Sequence, residues 1–227
     1  MNKKITLDKL NRNEALRYLG YKDFQTDDMT ESLLNLCEEE VIKNAVPRYT
    51  YRIVDFTRAN EGVSIEGTSL ILKGDSIKEH LEGCEKAALM AVTLSEGIDR
   101  MLRVMSGTDM AKAVVSDSLA SVAVEQVCDK VELIIKEELP EYNQTFRFGI
   151  GYGDLPIEHQ KEFLTVLNAP KLIGLNVSSS SMLTPTKSVT AIIGLTKGRV
   201  KASNRGCASC NLKGTCRFRK AGGHCNG

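Results

Sequence analysis

Tryptophan is absent from this 227-residue chain, and aromatic residues of all kinds make up only 5% of it. That scarcity argues against a surface built to stack nucleic-acid bases, which relies on exposed rings. Only three histidines occur, His80, His159 and His224, and none stands in a recognisable motif beside a Cys, Ser or Asp partner. A histidine-based acid–base or nucleophile constellation is therefore not expected. No apolar run approaches the roughly 18 residues that a bilayer crossing needs, and Met1-Asn2-Lys3-Lys4 leads into polar sequence rather than a signal segment. A soluble, cytoplasmic protein is expected. Proline numbers only five, and no long Pro/Gly linker, repeat or low-complexity tract divides the chain.

What is present is enough to build a core: 42% of the residues are hydrophobic, and the length suits one sizeable domain with an appendage. The net charge of +1 conceals an asymmetry. Eight of the 30 Lys/Arg lie from Lys197 onward, where no Asp or Glu occurs. The preceding 22 face all 29 acidic residues, a net of −7. A basic tail of this kind suits docking on an acidic partner. Its composition also resembles a zinc knuckle, but the acidic body and the lack of stacking rings argue against nucleic acid.

Patterning along the chain predicts interleaved helices and strands. "NRNEALRYLGY" (11–21) reads as a short helix stopped by Gly20. Asp28 to Glu31 reads as a capping box with Asp28 at the cap, opening a helix that ends before Pro47. Strands are expected at Tyr49–Phe56 and Gly67–Leu72, with Ser76 capping a short helix. The apolar run Ala87–Leu94 predicts a buried strand leading into a helix over Ile98–Met105. Thr108 is expected to cap the longest helix, whose face runs through Ala113, Ala120, Val124, Val127, Val131 and Ile134. Pro156 suits the first turn of a further helix to about Leu167, and Ser188–Leu195 predicts a closing strand. Without a strict βαβ rhythm, the fold class is α+β: a mixed or antiparallel sheet flanked by helices, followed by a Cys-rich tail.

Two stretches carry chemistry. In "RFGIGYGD" (147–154), three glycines within five residues let backbone approach a ligand or supply turns that side chains forbid. Arg147 beside them can grip a carboxylate through two charge-assisted bonds, and Tyr152 adds a ring and a hydroxyl. Taken alone the stretch reads more readily as an ordinary glycine turn. The second stretch is Cys207-x2-Cys210-x5-Cys216-x8-Cys225, a candidate metal set within a basic segment whose cations favour thiolates. Four thiolates suit zinc or an iron–sulfur cluster, although the spacing fits no established cluster pattern, and free or redox-active thiols remain open. Cys37, Cys84 and Cys128 lie in apolar periodic stretches and read as small reduced core residues.

The segment "RFGIGYGDLPIEHQKEFLTVL", a short spacer and "KLIGLNVSSSSMLTPTKSVTAIIGL" resemble the activation module of cobalamin-dependent methionine synthase. The shared pattern is an Arg-x-x-x-Gly-Tyr loop, a helix, an Ile-Gly-Leu strand, a Ser/Thr-rich loop with Met and Pro, and a Ser-Val strand. "LEGCEKAALMAVTLSEGIDRMLR" and "SDSLASVAVEQVCDKV" resemble the family's strand–helix unit and long helix, so the resemblance spans residues 80–196. It divides the chain into an N-terminal α+β portion (1–79) packed on the module, the module itself (80–196) and the basic tail (197–227); "EALRYLGY" also resembles stand-alone relatives of the module.

The resemblance implies S-adenosylmethionine as ligand. Arg147 would hold its carboxylate, Gly149 and Ile150 would line it through their backbone, Gly151 would shape the turn, and Ser179 and Ser180 would hydrogen-bond it. Tyr152, the candidate catalytic residue, would lie near the methyl group. The module presents the methyl to cobalamin on a partner while flavodoxin or ferredoxin supplies an electron, a reductive methylation that serves methionine biosynthesis. No corrinoid-binding Asp-x-His-x-x-Gly sequence is present. The implied partner is thus a separate corrinoid-binding methionine synthase or methyltransferase lacking its own activation module. Glu125 and Asp129 match the family's acidic helix in type, whereas Ser121 stands where a Glu is expected, and the serine loop lacks the family's Glu. The competing reading is a noncatalytic, metal-bearing interaction module.

Overall fold

A computed structural model describes residues 3–21, 24–200 and 214–215. An extended N-terminal segment buries Ile5, Leu7 and Leu10 and leads into α1 (Arg12–Tyr18), where the Asn11 side chain accepts the Glu14 amide hydrogen. Helix α2 (Asp28–Asn44) starts one residue earlier than expected. Asp27, not Asp28, holds the extended cap conformation and accepts the Thr30 N–H at 2.8 Å. Glu31 instead pairs with Arg12 at 2.6 Å and accepts the Thr26 hydroxyl at 3.0 Å. Strand β1 (Arg48–Val54) follows, then a three-stranded antiparallel meander of β2 (Phe56–Ala59), β3 (Gly62–Ile65) and β4 (Ile71–Lys73). The strand expected over 67–72 is thus only its last part, because Gly67 takes a positive φ of 70° in the turn before β4.

Helix α3 (Asp75–His80) precedes β5 (Lys86–Thr93), α4 (Glu96–Thr108) and the long α5 (Met110–Glu138). Thr108 closes α4, its hydroxyl donating to the Val104 carbonyl, and Asp109 caps α5 by accepting from the Lys112 N–H. Then come β6 (Asn143–Gln144), β7 (Phe148–Gly149), a 3-10 turn (Ile157–His159), α6 (Gln160–Val166) and α7 (Ala169–Ile173). A hairpin of β8 (Asn176–Val177) and β9 (Leu183–Thr184) leads to β10 (Ser188–Thr196). The Ile-Gly-Leu strand expected near 174 is not formed: Ile173 ends α7, and Gly174 takes the left-handed conformation that closes a helix.

The main sheet runs β1-β5-β10, with β6 and β7 both pairing along the outer edge of β10, all antiparallel. Its central strand explains the layering. Successive residues of β5 point to opposite faces, so Ala88, Met90 and Val92 join one core while Ala87, Leu89 and Ala91 join the other. Helices α1, α2, α4 and α5 cover the first face; the meander with α3, α6 and α7 covers the second. Both faces of β5 are dry, which is why its sequence is continuously apolar rather than alternating. Residues before 80 enter both cores, β1 through its ladder with β5 and the meander through Val63, Ile65 and Leu72. Among the described residues no helix is long and apolar enough to cross a membrane.

Candidate functional site

The glycine loop is two successive turns. The Tyr152 N–H donates to the Gly149 carbonyl at 3.1 Å with Gly151 at φ 95°, and the Leu155 N–H donates to the Tyr152 carbonyl at 3.0 Å with Gly153 at φ 59°. Both positions lie in the region that side-chain-bearing residues disfavour. The loop is tied down at its far end. The Asp154 carboxylate accepts the N–H groups of Asp75 and Ser76 at 2.7 and 2.9 Å, capping α3 from outside, and these bonds hold its pKa below the usual carboxylate range.

At the near end, pairing with β10 sets the direction of each side chain. Phe148 and Ile150 enter the core under the meander, so Arg147 and Gly149 face the opposite way, toward α5. The Tyr152 ring lies over Gly149: a Cβ there would stand 3.3 Å from a ring carbon. The ring is edge-on to Phe148 and 63% exposed, so it roofs the loop while remaining open to solvent.

Arg147 is not the open guanidinium that the sequence suggests. Its side chain is 22% exposed and already meets three carboxylates of α5. Its two terminal nitrogens donate to Asp129 (2.7 Å), Glu132 (2.8 Å) and Glu125 (3.0 Å). The cause is helical geometry: 125, 129 and 132 are an i, i+4, i+7 stripe on one face. One cation against three carboxylates leaves a formal surplus of negative charge. Burial opposes the charge on Arg147, but the neighbouring carboxylates of Asp129, Glu132 and Glu125 outweigh it and hold the guanidinium's pKa above its ordinary value. Cys128, fully buried beneath the cluster, is itself pushed up by desolvation and stays a neutral thiol.

The stripe continues toward the helix start. Lys187, just before β10, pairs with Asp117 at 2.8 Å and donates to Ser121 at 2.9 Å. On the N-terminal side Tyr18 of α1 lies within electrostatic reach of Glu125. A shallow groove of about 770 Å³ borders the other end, where Asp129 and Glu132 meet Lys136, Gln144 and Arg199.

Of the predicted ligand residues, Arg147, Gly149, Ile150, Gly151 and Tyr152 therefore form one continuous turn, and Glu125 and Asp129 converge on it. Ser179 and Ser180 do not join them. Their loop closes on itself, with Ser178 and Ser180 hydroxyls 2.9 Å apart and the Met182 N–H on Ser178; no hydrogen bond among the described residues links it to Arg147 or Tyr152. His80 packs against Phe146 and Phe148 under the sheet edge, and His159 accepts the Lys73 N–H, both structural uses. Cys37 and Cys128 are buried reduced thiols, as expected, with Cys84 partly exposed. Cys207, Cys210, Cys216 and Cys225 lie outside the described residues, and among the described ones no cluster is arranged to hold a metal. Sequence reasoning missed Glu132, Asp117, Lys187 and Tyr18; only the spacing of acids along α5 hinted at the first two.

Neither a protein-family model nor a curated protein matches the sequence. The fold does have a match. The chain is similar in fold to the MetH reactivation domain. That crystal structure, solved bound to AdoHcy, superposes with a TM-score of 0.59 over 82% of this chain and 71% of its own, at 14% identity. The likeness takes in a larger share of the chain than residues 80–196 make up. At such identity the likeness is one of fold, an α+β arrangement with antiparallel sheets flanked by helices.

Proposed function

We propose that this protein binds S-adenosylmethionine at the Arg147 loop and presents its methyl group to a corrinoid carried by a separate methionine synthase or methyltransferase. The observation that carries this reading is the single guanidinium facing three carboxylates, beside a glycine loop whose Gly149 lies under the Tyr152 ring, in a fold similar to a reactivation domain solved with AdoHcy. S-adenosylmethionine carries an ammonium, a sulfonium and a carboxylate, a net positive charge. The ligand carboxylate would take over part of the Arg147 fork, releasing a helix carboxylate to meet the ammonium, so ion pairs are exchanged rather than lost. The excess acid then attracts the sulfonium end. The backbone of Gly149 to Gly151 allows close approach, and Tyr152 covers the ligand from solvent.

Chemistry in this scheme needs no acid–base pair. The S–CH3 bond breaks with its electrons remaining on sulfur, and the methyl passes to the partner's cobalt once flavodoxin or ferredoxin has delivered an electron. This chain supplies positioning, which is the main lever when the leaving group is already activated. A zinc or iron–sulfur centre at Cys207, Cys210, Cys216 and Cys225 would sit beside that task, as an electron relay or as a fold staple.

Calorimetric titration tests the ligand. S-adenosylmethionine should bind more tightly than S-adenosylhomocysteine, which lacks the sulfonium charge, and added salt should narrow the gap. Arg147→Ala should weaken both by about 10- to 100-fold, the range for losing a charge-assisted pair. Absence of binding, or affinity indifferent to Arg147, removes the proposal and leaves a metal-bearing interaction module as the reading. Cob(II) loss on a candidate corrinoid protein, with and without S-adenosylmethionine, tests the transfer itself.

A further inference from the structure

The three carboxylates that meet Arg147 are not equivalent. The Asp129 side chain is 63% exposed and Glu125 45%, whereas Glu132, at 28%, is nearly as enclosed as the arginine. An exposed carboxylate that loses its partner is taken up by water, while an enclosed one is left as a poorly solvated charge. The bonds divide in the same way. Nη1 of Arg147 donates to both Asp129 and Glu132, and Nη2 donates to Glu125. When Asp129 swings out, Nη1 is still held by Glu132, and one of its two N–H groups is freed without a change of direction. Glu132 is also fastened a second time to the arginine's own segment. Its backbone carbonyl accepts the Gln144 side-chain N–H at 3.0 Å, and Gln144 lies in β6, opposite Leu195 of β10 and shortly before Arg147. Among the described residues neither Glu125 nor Asp129 makes such a second hydrogen bond to that segment.

We infer that Glu132 is a positioning residue for the ligand's carboxylate: it stays on Arg147 when the ligand binds and keeps Nη1 aimed, while the more exposed Asp129 gives up its place. The inference rests on the proposed ligand reading and names the acid of the stripe that is retained. Glu132 acts through Arg147 and touches neither the ligand nor the transferred methyl. The opposite assignment, with Glu132 as the acid displaced, makes it a competitor of the ligand's carboxylate, and the two differ in sign. Loss of a holder weakens binding; loss of a competitor tightens it. Because the amino-acid end is a zwitterion, removing one nearby negative charge alters its net attraction little, so the sign reports geometry.

The test titrates two ligands into the full-length protein. S-adenosylhomocysteine has the amino-acid end; 5′-methylthioadenosine keeps the adenosyl thioether and lacks it. Glu132→Ala should weaken S-adenosylhomocysteine about tenfold and leave methylthioadenosine unchanged. Glu132→Gln still offers Nη1 an acceptor and should lie between, about threefold weaker than wild type; it serves alone where the alanine variant does not fold. With Arg147→Met already in place, Glu132→Ala should weaken S-adenosylhomocysteine no further, since the holder then has nothing to hold. Tighter or unchanged binding in the Glu132 variants, equal losses for both ligands, or the full loss recurring without Arg147 overturns the assignment. A wild-type protein that binds neither ligand, or whose affinity is indifferent to Arg147→Ala, removes the parent reading instead, and those titrations do not involve Glu132.

Discussion

At the scale of single residues the site depends on what Gly149 does not have. Its missing side chain is the space the Tyr152 ring occupies, with three ring carbons 3.3–3.5 Å from where a Cβ would be. Gly149→Ala should therefore push the ring aside with little loss of fold, because that backbone is ordinary strand rather than left-handed. Ligand affinity should fall several-fold while the melting temperature moves by no more than a few degrees; an unchanged affinity would show that the ring does not roof the ligand. Residue roles were unevenly legible in the sequence. Arg147, Gly149, Gly151 and Tyr152 stood out because they are contiguous and glycine is informative wherever φ must be positive. Asp117, Glu132 and Lys187 did not, because polar residues on a long helix or at a strand entrance look the same whether they face water or each other. Ser179 and Ser180 were legible as a loop but not as a loop that bonds inward.

Among the elements, α3 shows most clearly how a local reading fails. Ser76 looks like its cap, yet it lies inside the helix, and Gly74 at the true cap position offers no side chain. Asp154, 78 residues away, supplies the acceptor, and its own N–H donates to the Ser76 hydroxyl at 3.4 Å. The result is a capping box split between two distant segments. Asp154→Ala should cost about 1 kcal/mol in urea unfolding at neutral pH and loosen the glycine loop with it. Because the helix N–H groups lower the Asp154 pKa in the folded state, its contribution is full above the ordinary Asp range. It is lost as pH falls through the lowered value. The wild-type and Asp154→Ala stabilities should converge below about pH 4; a gap that stays constant into acid would contradict this assignment. Tandem Asp27-Asp28 misled by one position for a simpler reason: two adjacent acids satisfy the same pattern, and only backbone conformation separates them.

The whole molecule is organised by a sheet with a dry core on each side. Leu89 and Met90 are neighbours in β5, both fully buried, and face opposite cores. Leu89→Ala and Met90→Ala should each cost about 2–5 kcal/mol. Each should shift one common unfolding transition rather than splitting it, since β5 belongs to both layers; two separate transitions in calorimetry would show that the layers fold independently. This architecture was legible in outline, because β5, α5 and β10 announce themselves by long apolar runs or clean periodicity. The two-residue strands β6 to β9 were not, since elements so short have no period to read and exist only through their partners. Helix α5 joins the layers to the chemistry: one side is clamped into the core from Ala113 to Ile135, while the other bears the charged stripe. Because the helix itself sets where these acids stand, one extra residue inserted between Ala113 and Glu125 would swing them by about 100° and carry Glu125, Asp129 and Glu132 out of reach of Arg147.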